Sequence, residues 1–436
     1  MYILNGILFL FKFLFILSSE FISYKLTFAN YENFIERLAY RLSSVNILCV
    51  KIIQAISSNN SLISESLNNK LLQYTDNAPW CNDDIDYKTL HQIIDKYGLE
   101  FKDGVIPIVP INSGMISLVF KAYKNDDLVI IKLKRVNIQE KLDNSIQNLL
   151  FLVYLLSFIP IFNKYQIAEL VNKNIEIIRH QTNFLEEIEN MDLIKNNCKN
   201  LKYVKIPTAL LEVTEEYPNC ILMTYIDGIK IKDIEKEDYE GFAKQVMKFG
   251  FVTTIVHGVT HGDLHSGNIL FIKDEIDAKY KYKIGVIDFG IIYKLDNEYK
   301  GLLFEVLTQM FESDPRESAI KILNSGIIDP PDILEQIHLK HKENIIAFAA
   351  NIIEETVKTS KKANQIQIYK FLSQLKEYLS NTELSNLGIR PSDNFVKSQL
   401  VLAMSHGVTL TLCNNDFMGL ADKVINELFH TNMLID

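Results

Sequence analysis

Hydrophobic positions change their period several times along the chain, and each change predicts a different kind of element. Met1 to Leu17 (MYILNGILFLFKFLFIL) is almost continuously apolar, interrupted at Lys12, and stands at the short limit for crossing hydrocarbon. Three readings stay open for it: a membrane anchor or interfacial helix, a helix packed on the protein's own core, and a signal peptide. The last is disfavoured, because Met1 to Lys25 carries neither basic residues ahead of the apolar run nor small residues at a cut site. From Asn33 to about Ser57, Phe34, Leu38, Ala39 and Leu42 recur at helical spacing and predict amphipathic helices. Between Phe101 and Arg135 the period shortens. SLVFKAY and LVIIKLK are β-branched-rich runs around Lys124-Asn125-Asp126-Asp127, a hairpin signature. The helical pattern returns from Leu142 to about Asn200, and ILMTYI, ending at Asp227-Gly228, then predicts a buried strand. Farther on only GNILFI and YKIGVID have strand character, and everything after about Asp296 has the pattern of helices joined by short polar turns.

The expected fold class is therefore α+β, with a small, mainly β half ahead of a large, mainly α half. No repeat period and no Gly/Ser- or Pro-rich linker marks an independent domain. A length of 436 residues allows one large domain or two to three smaller ones. Hydrophobic and charged shares of 48% and 23% exclude a wholly disordered chain and a polytopic membrane protein. A net charge of −9 argues against a phosphate-backbone binder, so nucleic acid is not an expected partner. Five scattered cysteines, Cys49, Cys81, Cys198, Cys220 and Cys413, without a C-x-x-C pair, suit a reducing compartment and no structural zinc.

The strongest chemical signal is Thr260-His261-Gly262-Asp263-Leu264-His265-Ser266-Gly267-Asn268, an H-x-D-x-x-x-x-N pattern followed by the apolar strand Ile269–Ile272. In kinase-type phosphoryl transfer, the aspartate of such a loop accepts the proton of the attacking hydroxyl while the asparagine helps hold a metal ion. A second signal is Asp288 in Ile287-Asp288-Phe289-Gly290, a carboxylate leaving a buried strand, which a Mg²⁺ ion bridging nucleotide phosphates would stabilise. Lys132, set among Val129–Leu133, needs an anionic partner, such as nucleotide phosphates and a helix glutamate. Glu187 is the first candidate and Glu186 the fallback. The loop Ile111–Ser117, with Asn112, Ser113, Gly114 and Met115, could cover phosphates with its backbone amides, though it has a single glycine. Taken singly, each feature has a plainer meaning: a turn for D-F-G, an edge-strand lysine for Lys132, and zinc ligands for His261, Asp263 and His265. His265 fits better as a hydrogen-bonding scaffold of its loop. The order of all the elements is what points to one cleft.

These residues resemble the protein-kinase superfamily and, more narrowly, the UbiB-type atypical kinases, also called aarF-domain-containing or ABC-one proteins. His261 to Asn268 resembles that family's H-x-D-P-H-P-G-N loop, including its second histidine. Lys51-Ile52-Ile53-Gln54, continuing through Ser57, Leu67, Leu71 and Asp76 to Pro79, resembles its K-x-G-Q signature. Gln181 to Asn197 tracks its E-x-D-F-x-x-E-A-x-N helix without a gap. The resemblance implies a bilobal kinase-like fold with a hydrophobic segment at 1–25, a helical extension at 26–103, a small lobe at 104–227 and a helical lobe at 228–436. It implies ATP and Mg²⁺ as cofactors, with Lys132 on the phosphates and paired to Glu187. Asp263 would be the proton acceptor, Asn268 and Asp288 the metal ligands, and Met223 and Tyr225 of the hinge strand would line the nucleotide. His261 and His265 would brace the loop.

The family is associated with isoprenoid-quinone biosynthesis and membrane lipid homeostasis, at mitochondrial, plastid or bacterial inner membranes. Its members are better supported as ATPases or small-molecule kinases than as protein kinases. The acceptor would then be a small molecule or lipid, and the location a membrane surface, through residues 1–25, or the cytoplasm. Consistently, little sequence separates Asp288 from the next helical region, and no A-P-E element follows. Departures from the family fall in the regulatory set of Lys51, Gln54, Gln181 and Asn183: the signature glycine is Ile53, and the carboxylates of E-x-D are Gln181 and Asn183, which removes two charges expected to face Lys51. Two alternatives remain, a soluble phosphotransferase of the aminoglycoside- or choline-kinase kind and a non-catalytic, nucleotide- or lipid-responsive scaffold.

Overall fold

The computed structural model describes residues 2–27, 30–57, 67, 70–71, 78–102, 104, 109–158, 175, 178–295, 297, 299–302, 314–363, 390–392, 394, 407–413 and 416–430. Three helices open the chain: α1 (Tyr2–Thr27), α2 (Tyr31–Val45) and α3 (Leu48–Ser57). Among the described residues of α1 one seam, through Gly6, Phe9, Ile16 and Glu20, is buried, on one face of the helix. Glu20 accepts hydrogen bonds from Arg37 and Arg41 of α2 at 3.0 and 2.8 Å. Helix α4 (Tyr87–Tyr97) starts where Asp86 accepts from the Thr89 amide and ends at Gly98, whose φ of 60° continues no helix.

The small lobe follows, with strands β1 (Leu99–Glu100), β2 (Asn112–Ser113), β3 (Ser117–Lys124) and β4 (Asp127–Lys134), then helices α5 (Ile138–Leu156) and α6 (Phe184–Asn197). After β5 (Val204–Lys205) and helix α7 (Leu211–Glu216), β6 (Cys220–Thr224) completes an antiparallel sheet of order β1-β3-β4-β6, with β2 paired to β3. The β3–β4 turn uses Asn125 and Asp126 at φ 49° and 70°, the left-handed pair that a tight hairpin requires. Alternation along β4 sends Val129, Ile131 and Leu133 into a core with Leu118, Phe120, Leu90 and Ile93. The same alternation turns Lys132 to the opposite face, where it meets Glu187 of α6.

The large lobe contains α8 (Tyr239–Phe251), continued by a wider turn at Val252–His257, then β7 (Val259–His261), β8 (Ile269–Lys273), β9 (Tyr282–Val286) and β10 (Ile292–Lys294). Beyond these lie α9 (Pro315–Leu323), β11 (Ile328–Asp329), α10 (Ile333–Gln336), α11 (Leu339–Ala363), β12 (Arg390–Pro391) and α12 (Phe417–His430). Phe242, Phe249, Phe271, Phe289 and Phe417 fill its core, so the loop before β8 and the segment after β9 stand on packed aromatics. The molecule is an α+β, bilobal, protein-kinase-like fold carrying an N-terminal helical extension. GNILFI and YKIGVID are strands, as their pattern predicts. The structure adds β1, β2, β5, β7, β10, β11 and β12, each of two or three residues and too short to display a period of two.

Candidate functional site

The loop between β7 and β8 is braced by its two histidines. His261, buried at the end of β7, accepts the Asp263 amide at Nδ1 over 3.1 Å, so its proton sits on Nε2, which donates to the Asp288 carbonyl. Burial holds His261 below the ordinary histidine range, against the nearby carboxylates. His265 accepts the Gly267 amide at Nδ1 over 3.0 Å. Both His261 nitrogens and His265 Nδ1 are thus committed to the loop, which fits a bracing role for the pair. Gly262 is required here because a Cβ would lie 2.4 Å from Ile291.

One cleft between the lobes gathers Lys132, Glu187, Asp263, Asn268 and Asp288, together with Lys51, Asn112, Gly114, Met115, Gln181, Met223, Tyr225 and His265. Lys132 Nζ donates to Glu187 at 2.5 Å and to Asp288 at 2.8 Å, which selects Glu187 over Glu186, a half-buried residue bonded to His180. Burial alone would lower the Lys132 pKa, but Asp288 and Glu187 more than reverse it and hold the ammonium charged. Burial would likewise raise Asp288, yet Lys132 and the Gly290 amide keep its carboxylate far below the usual range. Glu187, fully enclosed and facing Asp288, is raised instead. Asn268 Nδ2 donates to the Asp263 carbonyl over 2.9 Å, fixing the two residues together.

The regulatory set is arranged differently from expectation. Lys51 faces Asp263, with Nζ to Oδ2 at 2.5 Å, rather than Gln181 and Asn183. Burial pushes the Asp263 pKa up, while Lys51 and His265 pull it further down, so the carboxylate stays ionised. Asn183 is the N-cap of α6. Gln181 lines the cleft, 8% exposed, with its Oε1 lacking a partner. The Gln54 side chain lies outside the described residues. Ile53 packs with Ala39, Leu67 and Leu71, so the extension fills with a side chain the place where the family signature has glycine. The phosphate-covering loop also departs from expectation at one position. Asn112 and Ser113 form β2, and the Ser113 hydroxyl is turned away from the cleft to donate to the Ala78 carbonyl.

Two contributors were not anticipated. Arg135 donates to the carbonyls of Gly114 and Pro79 and to Asp84, tying the loop to the end of the extension. The rule that singled out Lys132, a cation inside an apolar strand, applies equally to an arginine at the strand's end. Asn190 donates to the Phe289 carbonyl over 3.1 Å and occupies the terminal asparagine of the helix motif.

Hard oxygen donors at Asp288 and Asn268, a buried orphan acceptor on Gln181 and a lysine among carboxylates fit a nucleotide with a divalent cation. The architecture and the site thus define a kinase-like molecule. Residues 88–321 match the ABC1 atypical kinase-like domain, and the chain belongs to that family. Among its relatives, it is 24% identical over 264 residues to "Protein ACTIVITY OF BC1 COMPLEX KINASE 8, chloroplastic" of Arabidopsis thaliana, covering 59% of this chain and 33% of that protein. It is 25% identical over 303 residues to a "Probable protein kinase UbiB" of Shewanella piezotolerans, covering 67% and 53%. The matches thus span a third to about half the length of these curated relatives. The erythromycin complex of Rv3197 from Mycobacterium tuberculosis superposes with a TM-score of 0.46 at 14% identity, over 93% of this chain and 98% of that one.

Proposed function

We propose that this chain binds Mg²⁺-ATP in the cleft and transfers the γ-phosphoryl group to a small-molecule or lipid hydroxyl, or to water, in isoprenoid-quinone or membrane lipid metabolism. The observation that carries the reading is the convergence of Lys132, Glu187, Asp263 and Asp288 on one cavity. Lys132, steered by Glu187, would hold the α- and β-phosphates. Asp263 would accept the acceptor's proton as its oxygen bonds to the γ-phosphorus and the bond to the leaving diphosphate breaks. Asn268 and Asp288 would hold the cation, which supplies charge neutralisation on the phosphates. Met223 and Tyr225 would flank the base, and the backbone of Asn112, Gly114 and Met115 would cover the phosphates. The outward face of α1 would contact a membrane. A binding assay tests the nucleotide reading: purified protein should bind ATP only with divalent metal, and Asp288→Asn and Lys132→Ala should each weaken binding by about tenfold or more. Unchanged affinity in both variants would overturn it.

The Lys51–Asp263 ion pair supports a second reading, a nucleotide-responsive scaffold without turnover, because an acceptor reaches Asp263 only after Lys51 leaves. Measuring ATP turnover with liposomes and phenolic compounds discriminates the two. Intact binding with no turnover under any of these conditions favours the scaffold.

A further inference from the structure

The hinge residues Thr224, Tyr225 and Ile226 line the cleft and also a second cavity, of about 410 Å³. That volume lies within the roughly 300–1,000 Å³ of small-ligand sites. Its other wall runs from the end of α6 to β5 and carries Lys195, Lys199, Lys202 and Lys205. Buried Cys198 and Leu201 pin this stretch to the core, and β5 pairs in parallel with β9, so the four lysines are spaced by packed structure. Lys195 reaches across to donate to the Thr208 hydroxyl. Among the described residues none of the four forms an ion pair, whereas Lys244, Lys248, Lys273, Lys281 and Lys283 of the same molecule all do. In a chain of net charge −9, four ammonium groups without a carboxylate partner among the described residues gather positive potential around one concavity. Burial raises the Cys198 thiol to about 12, so the site offers no thiolate for covalent chemistry.

We propose that this lysine-lined groove binds a phosphate-bearing ligand, either a soluble phosphate ester or a lipid headgroup. The binding claim stands apart from the nucleotide reading. Only a further effect, altered nucleotide affinity through the shared Thr224–Ile226 wall, rests on that reading. The test titrates inorganic pyrophosphate into the full chain by calorimetry. Pyrophosphate also suits the cleft, so wild type and Lys132→Met are each compared with and without the pair Lys199→Glu and Lys205→Glu. The groove component is the part lost on charge reversal in both backgrounds, with affinity about tenfold weaker. In parallel, flotation is measured on phosphatidylcholine vesicles with and without phosphatidylglycerol. If charge reversal weakens only pyrophosphate binding, the ligand is soluble; if it also removes the phosphatidylglycerol-dependent increment, the source is a headgroup. The pair Lys199→Arg and Lys205→Arg should keep binding, and its loss there would overturn a charge-based site. Identical pyrophosphate isotherms and identical flotation on charge reversal would overturn the proposal. Unchanged ATP binding in Lys132→Met would instead count against the nucleotide reading and leave the groove's outcome intact.

Discussion

Lys132 is the residue on which the cleft's charge balance turns, since one ammonium answers two carboxylates, Glu187 and Asp288. Replacing it by methionine leaves Glu187 enclosed without a cation, which costs about 3 kcal/mol or more. Urea unfolding should show that loss, and adding Glu187→Gln to Lys132→Met should recover most of it. A double variant no more stable than the single one would refute the argument. His261 gives a pH dependence of definite sign. Its folded pKa is lowered by burial, so the unfolded chain takes up a proton that the folded chain refuses. The stability is complete above the unfolded value near 6.5 and is lost as pH falls below it, by up to about 1.4 kcal/mol per unit per histidine. His257, lowered by burial and Lys300, adds in the same direction. Asp263 and Asp288 have lowered pKa values, so their contribution holds above the unfolded carboxylate range near 4 and fades only below it. Glu187, raised by burial, acts in the opposite sense over the same range, so His261 is read by difference. Between pH 7 and pH 5 the urea midpoint should drop more in wild type than in His261→Gln, and identical changes would show that His261 is not held neutral. Lys132 and Asp288 were legible in sequence as charges in or leaving apolar strands, and Glu187 and the bracing histidines through the spacing of the motifs that hold them. The inward turn of Ser113 was not, because it depends on the Ala78 carbonyl, 35 residues away.

At the scale of elements, α3 shows how a family device is rebuilt with different residues. Val50 and Leu48 pack against Met115, Ile138 and Leu142, while Ile53 packs against Ala39 of α2, Leu67 and Leu71. This clamps the helix from two sides and holds Lys51 over Asp263. Ile53→Gly restores the family glycine yet removes a buried side chain and places glycine inside a helix, a loss of about 3 kcal/mol. Faster amide exchange over residues 30–57 is expected, with the small-lobe sheet unchanged, and equal protection in both proteins would show that Ile53 does not anchor the extension. The hairpin, the hinge strand and the β8–β9 pair were legible because each runs five residues or more with a clear apolar pattern. The β7–β10 pair was hidden: three residues cannot display a period, and its register, Ile292 opposite His261, is set by contacts across the lobe. Asn183 was read only through the family carboxylate position, and the structure shows it instead as the N-cap of α6.

Across the whole molecule, the unresolved tension in α1 is between its two faces. The inner seam is tied down by Phe9 and Ile16, by the contact of Gly6 with Phe151, and by Glu20 between two arginines. The outer face leaves Leu8, Phe11, Phe15 and Phe21 at least half exposed. Leu4–Thr27 is long and apolar enough to cross a membrane by length and composition. Crossing would pull Glu20 from Arg37 and Arg41 into hydrocarbon, at a cost of several kcal/mol that lying flat avoids. An interfacial helix satisfies both faces at once, with the aliphatic and aromatic side chains among acyl tails and Lys12 and Lys25 toward headgroups. The full chain should therefore float with phosphatidylcholine vesicles and be released by alkaline carbonate, as a peripheral protein is. Phe11→Lys with Phe15→Lys, both on the outer face, should abolish flotation without lowering the urea midpoint. Carbonate-resistant retention would instead require a spanning helix, and with it the rupture of the Glu20 ion pairs.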